Sequence, residues 1–208
     1  MGTADFACPS LASLDDARGI EVAGVVTQPD RPKGRELIPH PPAVKLEAEL
    51  RNLPVHQPER LRSDIQYLEQ IAPGLIIVAA YGQILTQTIL DLPSHGCLNV
   101  HGSLLPAYRG AAPIQRAILD GQAETGVTIM QMDAGLDTGA MLSKTATPIT
   151  PTDNAQTLHD HLAQLGAALL LETIPRHIAG EIMPELQDDT LATHAAKITR
   201  DMGRIDWS

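Results

Sequence analysis

Three kinds of side chain with acid–base or hydrogen-bonding capacity recur close together between residues 99 and 139. Asn99 and His101 stand two apart in Asn99-Val-His101, followed by the rigid turn Gly102-Ser103-Leu104-Leu105-Pro106. Carboxylates follow in Asp133-Ala-Gly-Leu-Asp137-Thr-Gly139. Residues two apart on a strand point to the same side. An amide N–H and an imidazole N–H on one side can both donate to an oxygen that gains charge as a carbonyl is attacked. Loss of one such donor typically costs roughly 10²–10³ in rate. A carboxylate beside His101 would favour its protonated form and let it hold or deliver a proton. Asp133 and Asp137 both fit that role by spacing, and both are also ordinary turn residues. Arg109-Gly110 precedes a helical pattern and reads equally as an anion site or as a solvated arginine.

Elements must exist to position these groups. Cys97–Val100 reads as a strand with Asn99 and His101 at its C-terminal end, where open α/β sheets place their ligands. Ile20–Val26 and Val127–Met132 are strand candidates, and Leu75–Ala80 is an apolar run suited to a strand buried on both faces. Helical patterns cover a segment from near Pro9, Ala43–Leu50, Asp64–Ile71, Gln83–Leu90 and about Ala112 to Asp120. Thr152–Thr173 is the clearest helix, with Leu158, Leu162, Leu165 and Leu169 on one face, Thr152 or Asp153 as cap and Pro175 at its end. Strands alternating with helices predict an α/β domain with a Rossmann-like, largely parallel sheet and flanking helices.

Composition narrows the chemistry. The 208 residues are 43% hydrophobic but only 2% aromatic, so aliphatic side chains must fill the core. The formal net charge is -10, and residues from Pro151 onward carry 4 basic against 9 acidic groups. Neither part offers the clustered Lys and Arg that phosphate contacts need. Cys8 and Cys97 form no metal-type or redox spacing, which fits a reducing cytoplasm. No charged leader precedes an apolar run, and no run approaches membrane-spanning length. His159 and His161 face different sides of their helix and are read as surface polarity, so no metal is expected. Ser103 lacks a nucleophile-elbow context, and no phosphate-binding glycine fingerprint is present.

The quoted motifs resemble those of the 10-formyltetrahydrofolate-dependent formyltransferases. They are Asn99–Pro106, Tyr108–Arg116, Glu124–Thr128 and Met132–Gly139, joined by Gly2–Leu11, Val25–Gly34, Ala80–Leu85 and Lys197–Ser208. The match is closest to the branch that formylates methionyl initiator tRNA. The resemblance implies the formyltransferase fold and 10-formyltetrahydrofolate as formyl donor, with tetrahydrofolate as product. It implies a catalytic trio of Asn99, His101 and Asp137, thereby choosing between the two aspartates. Ser103, Leu104, Leu105 and Pro106 would contact the folate, in a pocket walled by Tyr81, Gly82, Gln83, Ile84, Leu85 and Asp133. Thr3, Asp5, Phe6, Arg31, Lys33, Arg35 and Arg109 would face the aminoacyl end of the tRNA.

The chain also departs from that family. A short apolar strand usually precedes the Gly-Thr loop and is missing here, which should expose its apolar neighbours. Lys33-Gly-Arg35 is followed by Glu36-Leu-Ile-Pro39 where more basic residues are usual. The expected unit is therefore a catalytic domain over residues 1–208, with residues from about 190 leading into an absent C-terminal β-barrel. It should be monomeric and bind tRNA weakly. The alternatives are a sugar-nucleotide N-formyltransferase, which would share the trio and folate site, and a non-catalytic folate-binding remnant.

Overall fold

A computed structural model describes residues 1–33, 37–204 and 207. The strands are β1 (Val25–Val26), β2 (Arg31–Lys33), β3 (Ile38–His40), β4 (Val55–His56), β5 (Ile76–Val78), β6 (Cys97–His101), β7 (Arg109–Gly110), β8 (Glu124–Gln131), β9 (Met141–Pro148) and β10 (His194–Ala195). The helices are α1 (Cys8–Asp16), α2 (Ala43–Leu50), α3 (Gln66–Ile71), α4 (Gln87–Leu90), α5 (Pro113–Leu119) and α6 (Ala155–Ile178). The main sheet has the order β5-β6-β8-β9. The expected parallel pairing holds for β1 with β4 and for β5 with β6. From β6 outward the pairing is antiparallel, β6 with β8 and β8 with β9, the latter joined by a hairpin-like loop.

Period-2 alternation sorts β6 cleanly. Leu98 and Val100 face the large apolar cluster, with Val127 and Ile129 of β8 beside them and Leu158, Leu162 and Leu170 of α6 above. Asn99 and His101 take the opposite face. Gly166 lets α6 approach closely, since a β-carbon there would lie 2.8 Å from Val100 Cγ1. The helix is capped by Asn154, whose side chain accepts from the Gln156 and Thr157 N–H groups. Asp153, one of the expected caps, instead closes the preceding turn on Thr150. Pro175 sits inside the last turn and does not end the helix, which runs to Ile178.

Only Val25–Val26 of Ile20–Val26 pairs as a strand. Met1 and Gly2 lie between β1 and β5. Gly2 N–H donates to the Val26 carbonyl at 3.0 Å, and Ala79 N–H donates to the Met1 carbonyl at 3.0 Å. The Met1 ammonium donates to the Ile77 carbonyl at 2.6 Å. Beyond these two residues the seam opens into a cavity of about 490 Å³, lined by Leu14, Ile20, Val22, Val25, Leu75 and Ile77 among others.

Candidate active site

Because β5 and β6 are parallel, with Val78 opposite Asn99, their C-terminal ends lie side by side. β6 delivers Asn99 and His101, both buried, at 9% and 5% exposure. The turn after them is held from behind. Thr128 Oγ1 donates to the Ser103 carbonyl at 2.7 Å and accepts from Leu105 N–H at 3.1 Å, while Ser103 Oγ donates to the Ala107 carbonyl at 2.6 Å. The Leu105–Pro106 peptide is cis.

The loop between β8 and β9 supplies the carboxylates and separates their roles. Asp137 Oδ2 lies 3.7 Å from His101 Nδ1 and accepts from Gly110 N–H at 2.9 Å. Asp137 Oδ1 accepts from Asn99 Nδ2 at 3.3 Å. One carboxylate therefore touches the amide, the imidazole and the backbone of β7. Asp133 instead accepts from Gly135 N–H and Thr138 Oγ1 within its own exposed loop. The geometry thus ranks what spacing left open: Asp137 faces His101, and Asp133 shapes the turn.

His101 Nε2 lies 3.0 Å from the Tyr108 carbonyl. A carbonyl only accepts, so Nε2 carries a hydrogen. Both ring nitrogens thus face oxygen, one a carbonyl and the other a carboxylate. His101 Nε2 is engaged by the Tyr108 carbonyl, whereas Asn99 Nδ2 spends one hydrogen on Asp137 and has a second to offer another acceptor. The backbone around them is unusual. Tyr108 and Asp137 have φ of 62° and 55°, in a region that non-glycine residues enter at a cost of order 1–3 kcal/mol. Such outliers persist where the surroundings hold them.

The other expected contacts divide by burial. Leu104 and Pro106 are half-buried at the turn, whereas Ser103 and Leu105 are buried, the serine hydroxyl serving the turn itself. In the Tyr81–Leu85 segment, Gly82 and Ile84 are exposed and Gln83 is half-buried, its amide capping Leu61 N–H. Tyr81 does not wall a pocket with its ring. It is 2% exposed in the core, and burial pushes its hydroxyl up to about 12. Its carbonyl ties loops together instead, accepting from Thr3 Oγ1 at 2.8 Å and Gln28 Nε2 at 2.9 Å. Leu85 is likewise a core residue.

Of the residues expected to face the aminoacyl end, Phe6 is buried with its ring edge-on to His159, at a centroid distance of 5.5 Å. It belongs to the large aliphatic cluster with Leu11, Ile114 and Leu158. Asp5 is exposed and pairs with His159 at 3.2 Å. Arg31 is exposed and pairs with Glu59. Lys33 ends β2, and Arg35 lies outside the described residues. Arg109 is not at a helix start. Its guanidinium, 12% exposed, donates to Gln187 Oε1 at 2.9 Å and Asp189 Oδ1 at 2.8 Å, because β7 pairs with β10 and brings that acidic segment alongside.

Sequence reasoning missed Gln187 and the Tyr108 carbonyl. Neither carries a signal, since one lies in a polar stretch and the other is backbone. Cys97 begins β6, but burial pushes its thiol up to about 12, so it is no nucleophile near neutral pH. Among the described residues, no three His, Cys, Asp or Glu side chains are placed to hold a metal ion. No described helix is long and apolar enough to cross a membrane.

Residues 1–174 match the formyl transferase family. The chain belongs to that family. It is 54% identical over its whole length to the methionyl-tRNA formyltransferase of Bacillus licheniformis, of which it spans 66%. Among solved structures it resembles glycinamide ribonucleotide transformylase 1 from Symbiobacterium toebii, with a TM-score of 0.74, 17% identity, and coverage of 90% of this chain and 92% of that one. It also resembles an N-formyltransferase from Helicobacter canadensis in complex with folinic acid and dTDP-3-aminofucose. That TM-score is 0.68 at 21% identity, covering 93% of this chain and 68% of the other. At such identities the two structures establish the fold alone. The formyltransferase fold expected from the sequence is thus the one observed, with Asn99 and His101 on β6 and Asp137 in the loop between β8 and β9.

Proposed function

We propose that this chain transfers a formyl group from 10-formyltetrahydrofolate to the α-amino group of methionyl initiator tRNA, with Asn99, His101 and Asp137 as its catalytic residues. The observation that carries the reading is the single carboxylate of Asp137 touching both Asn99 and His101. The shared identity of about half the residues with methionyl-tRNA formyltransferases supports the choice of substrate.

The site chemistry fits a formyl donor. A free α-amine has a reference pKa of about 7.7–8.0, so much of it is already neutral near pH 8 and needs little activation. The demanding requirement is stabilisation of negative charge on the attacked carbonyl oxygen. Asn99 Nδ2, through its second hydrogen, and His101, once released from Tyr108, are the donors for that charge. Asp137 orients His101 and balances a proton on it, and that proton can pass to the departing nitrogen. The donor itself supplies the activated formyl carbonyl. Leu104 and Pro106, half-buried at the turn, and the exposed Ile84 offer apolar surface for a flat ring. The left-handed backbone of Ala80 and Gly82, with φ of 44° and 79°, turns that segment sharply after β5.

The chain spans 66% of the length of curated relatives that it matches over its whole length. We therefore read residues 1–208 as the catalytic domain, with residues from about 190 leading toward a tRNA-binding β-barrel. Without that partner domain the unit should bind folate, act as a monomer in the cytoplasm and hold tRNA weakly. The deciding experiment offers 10-formyltetrahydrofolate with either methionyl initiator tRNA or an amino-sugar nucleotide. Formylation of the tRNA alone supports the proposal. Formylation of the sugar nucleotide alone transfers the assignment to the sugar branch. Folate binding without turnover on either, unaltered by His101→Ala, identifies a remnant.

A further inference from the structure

A segment beyond the family match carries one side chain that reaches the site. Gln187 is half-buried while its immediate neighbours are exposed. Its Nε2 donates to two backbone carbonyls of the carboxylate loop, that of Asp137 at 2.9 Å and that of Gly139 at 2.7 Å. Both amide hydrogens are thereby used. Its Oε1 accepts from Arg109 Nε at 2.9 Å, so the amide is fixed in the orientation that donates to the loop.

The surrounding strap is pinned on both sides. Glu185 and Met141 exchange backbone hydrogen bonds of 2.8 Å in each direction. Tyr108 N–H donates to Thr193 Oγ1 at 2.8 Å, and Arg109 N–H donates to the Thr193 carbonyl at 2.9 Å. The strap thus holds the two segments that surround His101. One supplies the Tyr108 carbonyl and the Gly110 N–H, and the other supplies Asp137.

We propose that Gln187 is a positioning residue for the catalytic carboxylate. Asp137 adopts a left-handed backbone conformation that it does not favour. Two hydrogen bonds from Gln187 to the carbonyls of residues 137 and 139 hold that conformation, and with it the aim of the carboxylate at Asn99 and His101. Arg109 acts one step further out by orienting the Gln187 amide. The inference rests on the formyl-transfer reading of the site.

The test uses the full-length enzyme that carries this domain, with Gln187→Ala, Gln187→Glu and Asp137→Asn, alone and combined. Misplacing a catalytic group by about 1 Å can cost on the order of 10²-fold in rate. Gln187→Ala should therefore lower kcat by roughly 10- to 100-fold, with KM for both substrates and the melting temperature nearly unchanged. Gln187→Glu keeps the side-chain length and strengthens the Arg109 pairing, but it removes both donors. It should lose at least as much kcat as Gln187→Ala. Added to Asp137→Asn, Gln187→Ala should cost little more, because both act through one carboxylate. Wild-type kcat in Gln187→Glu, or losses that multiply in the double variant, would overturn the positioning role. Wild-type kcat in Asp137→Asn alone would instead overturn the underlying reading of the site.

Discussion

The two halves of the sheet are built to different standards. β5, β6, β8 and β9 pair in one sheet, with a register shift at Ile129/Met130, and Leu98, Val127 and Ile129 are fully enclosed beneath α6. Beside β1 and β5, by contrast, a cavity of about 490 Å³ is lined by Leu14, Ile20, Val22 and Leu75 among others. Asn99, His101 and Asp137 all stand on the closely packed side. The contrast teaches that the candidate site draws on the packing that most stabilises the sheet, while the cavity side can be perturbed without touching it.

The largest expected effect lies in the well-packed half. Leu98→Ala removes a side chain with no exposed surface and should cost about 2–5 kcal/mol, measured by denaturant unfolding. Val22→Ala, at the cavity wall, should cost less than about 1 kcal/mol, because that side chain already lacks neighbours on one side. Equal costs would mean that the seam is as closely packed as the main sheet.

Next comes a perturbation of chemistry without stability. Asn99→Ala should lower the rate of formyl transfer by roughly 10²–10³-fold, read by single-turnover assay, with the fold retained by circular dichroism. A rate within a factor of two of wild type would remove Asn99 from the site.

Legibility in the sequence followed the same division. The strand at Cys97 and the helix at Ala43–Leu50 were readable because alternation and period fix which side chains enter the core. The strand Met141–Pro148 was not, since its Ser-Lys-Thr-Ala-Thr run has no apolar stripe and is held by β8. The Ile20–Val26 run looked like a strand, yet only two residues pair, because pairing needs a neighbour that composition cannot supply. Asn99 and His101 announced themselves by spacing on one strand. Asp137 needed either the family resemblance or the structure, because loop residues have no periodicity. Phe6, Tyr81 and Arg109 show the converse. The family resemblance implies ligand contacts for them, while burial and long-range partners tie them into the fold.

The most direct measurement compares Asp137→Asn with Asp133→Asn in single-turnover formyl transfer to methionyl initiator tRNA from 10-formyltetrahydrofolate. The two substitutions are chemically identical and four residues apart in one loop. If the Asp137 carboxylate aims and balances His101, Asp137→Asn should lose roughly 10²-fold or more while Asp133→Asn stays within a few-fold of wild type. Equal rates for the two variants, or a greater loss at Asp133, would contradict the account.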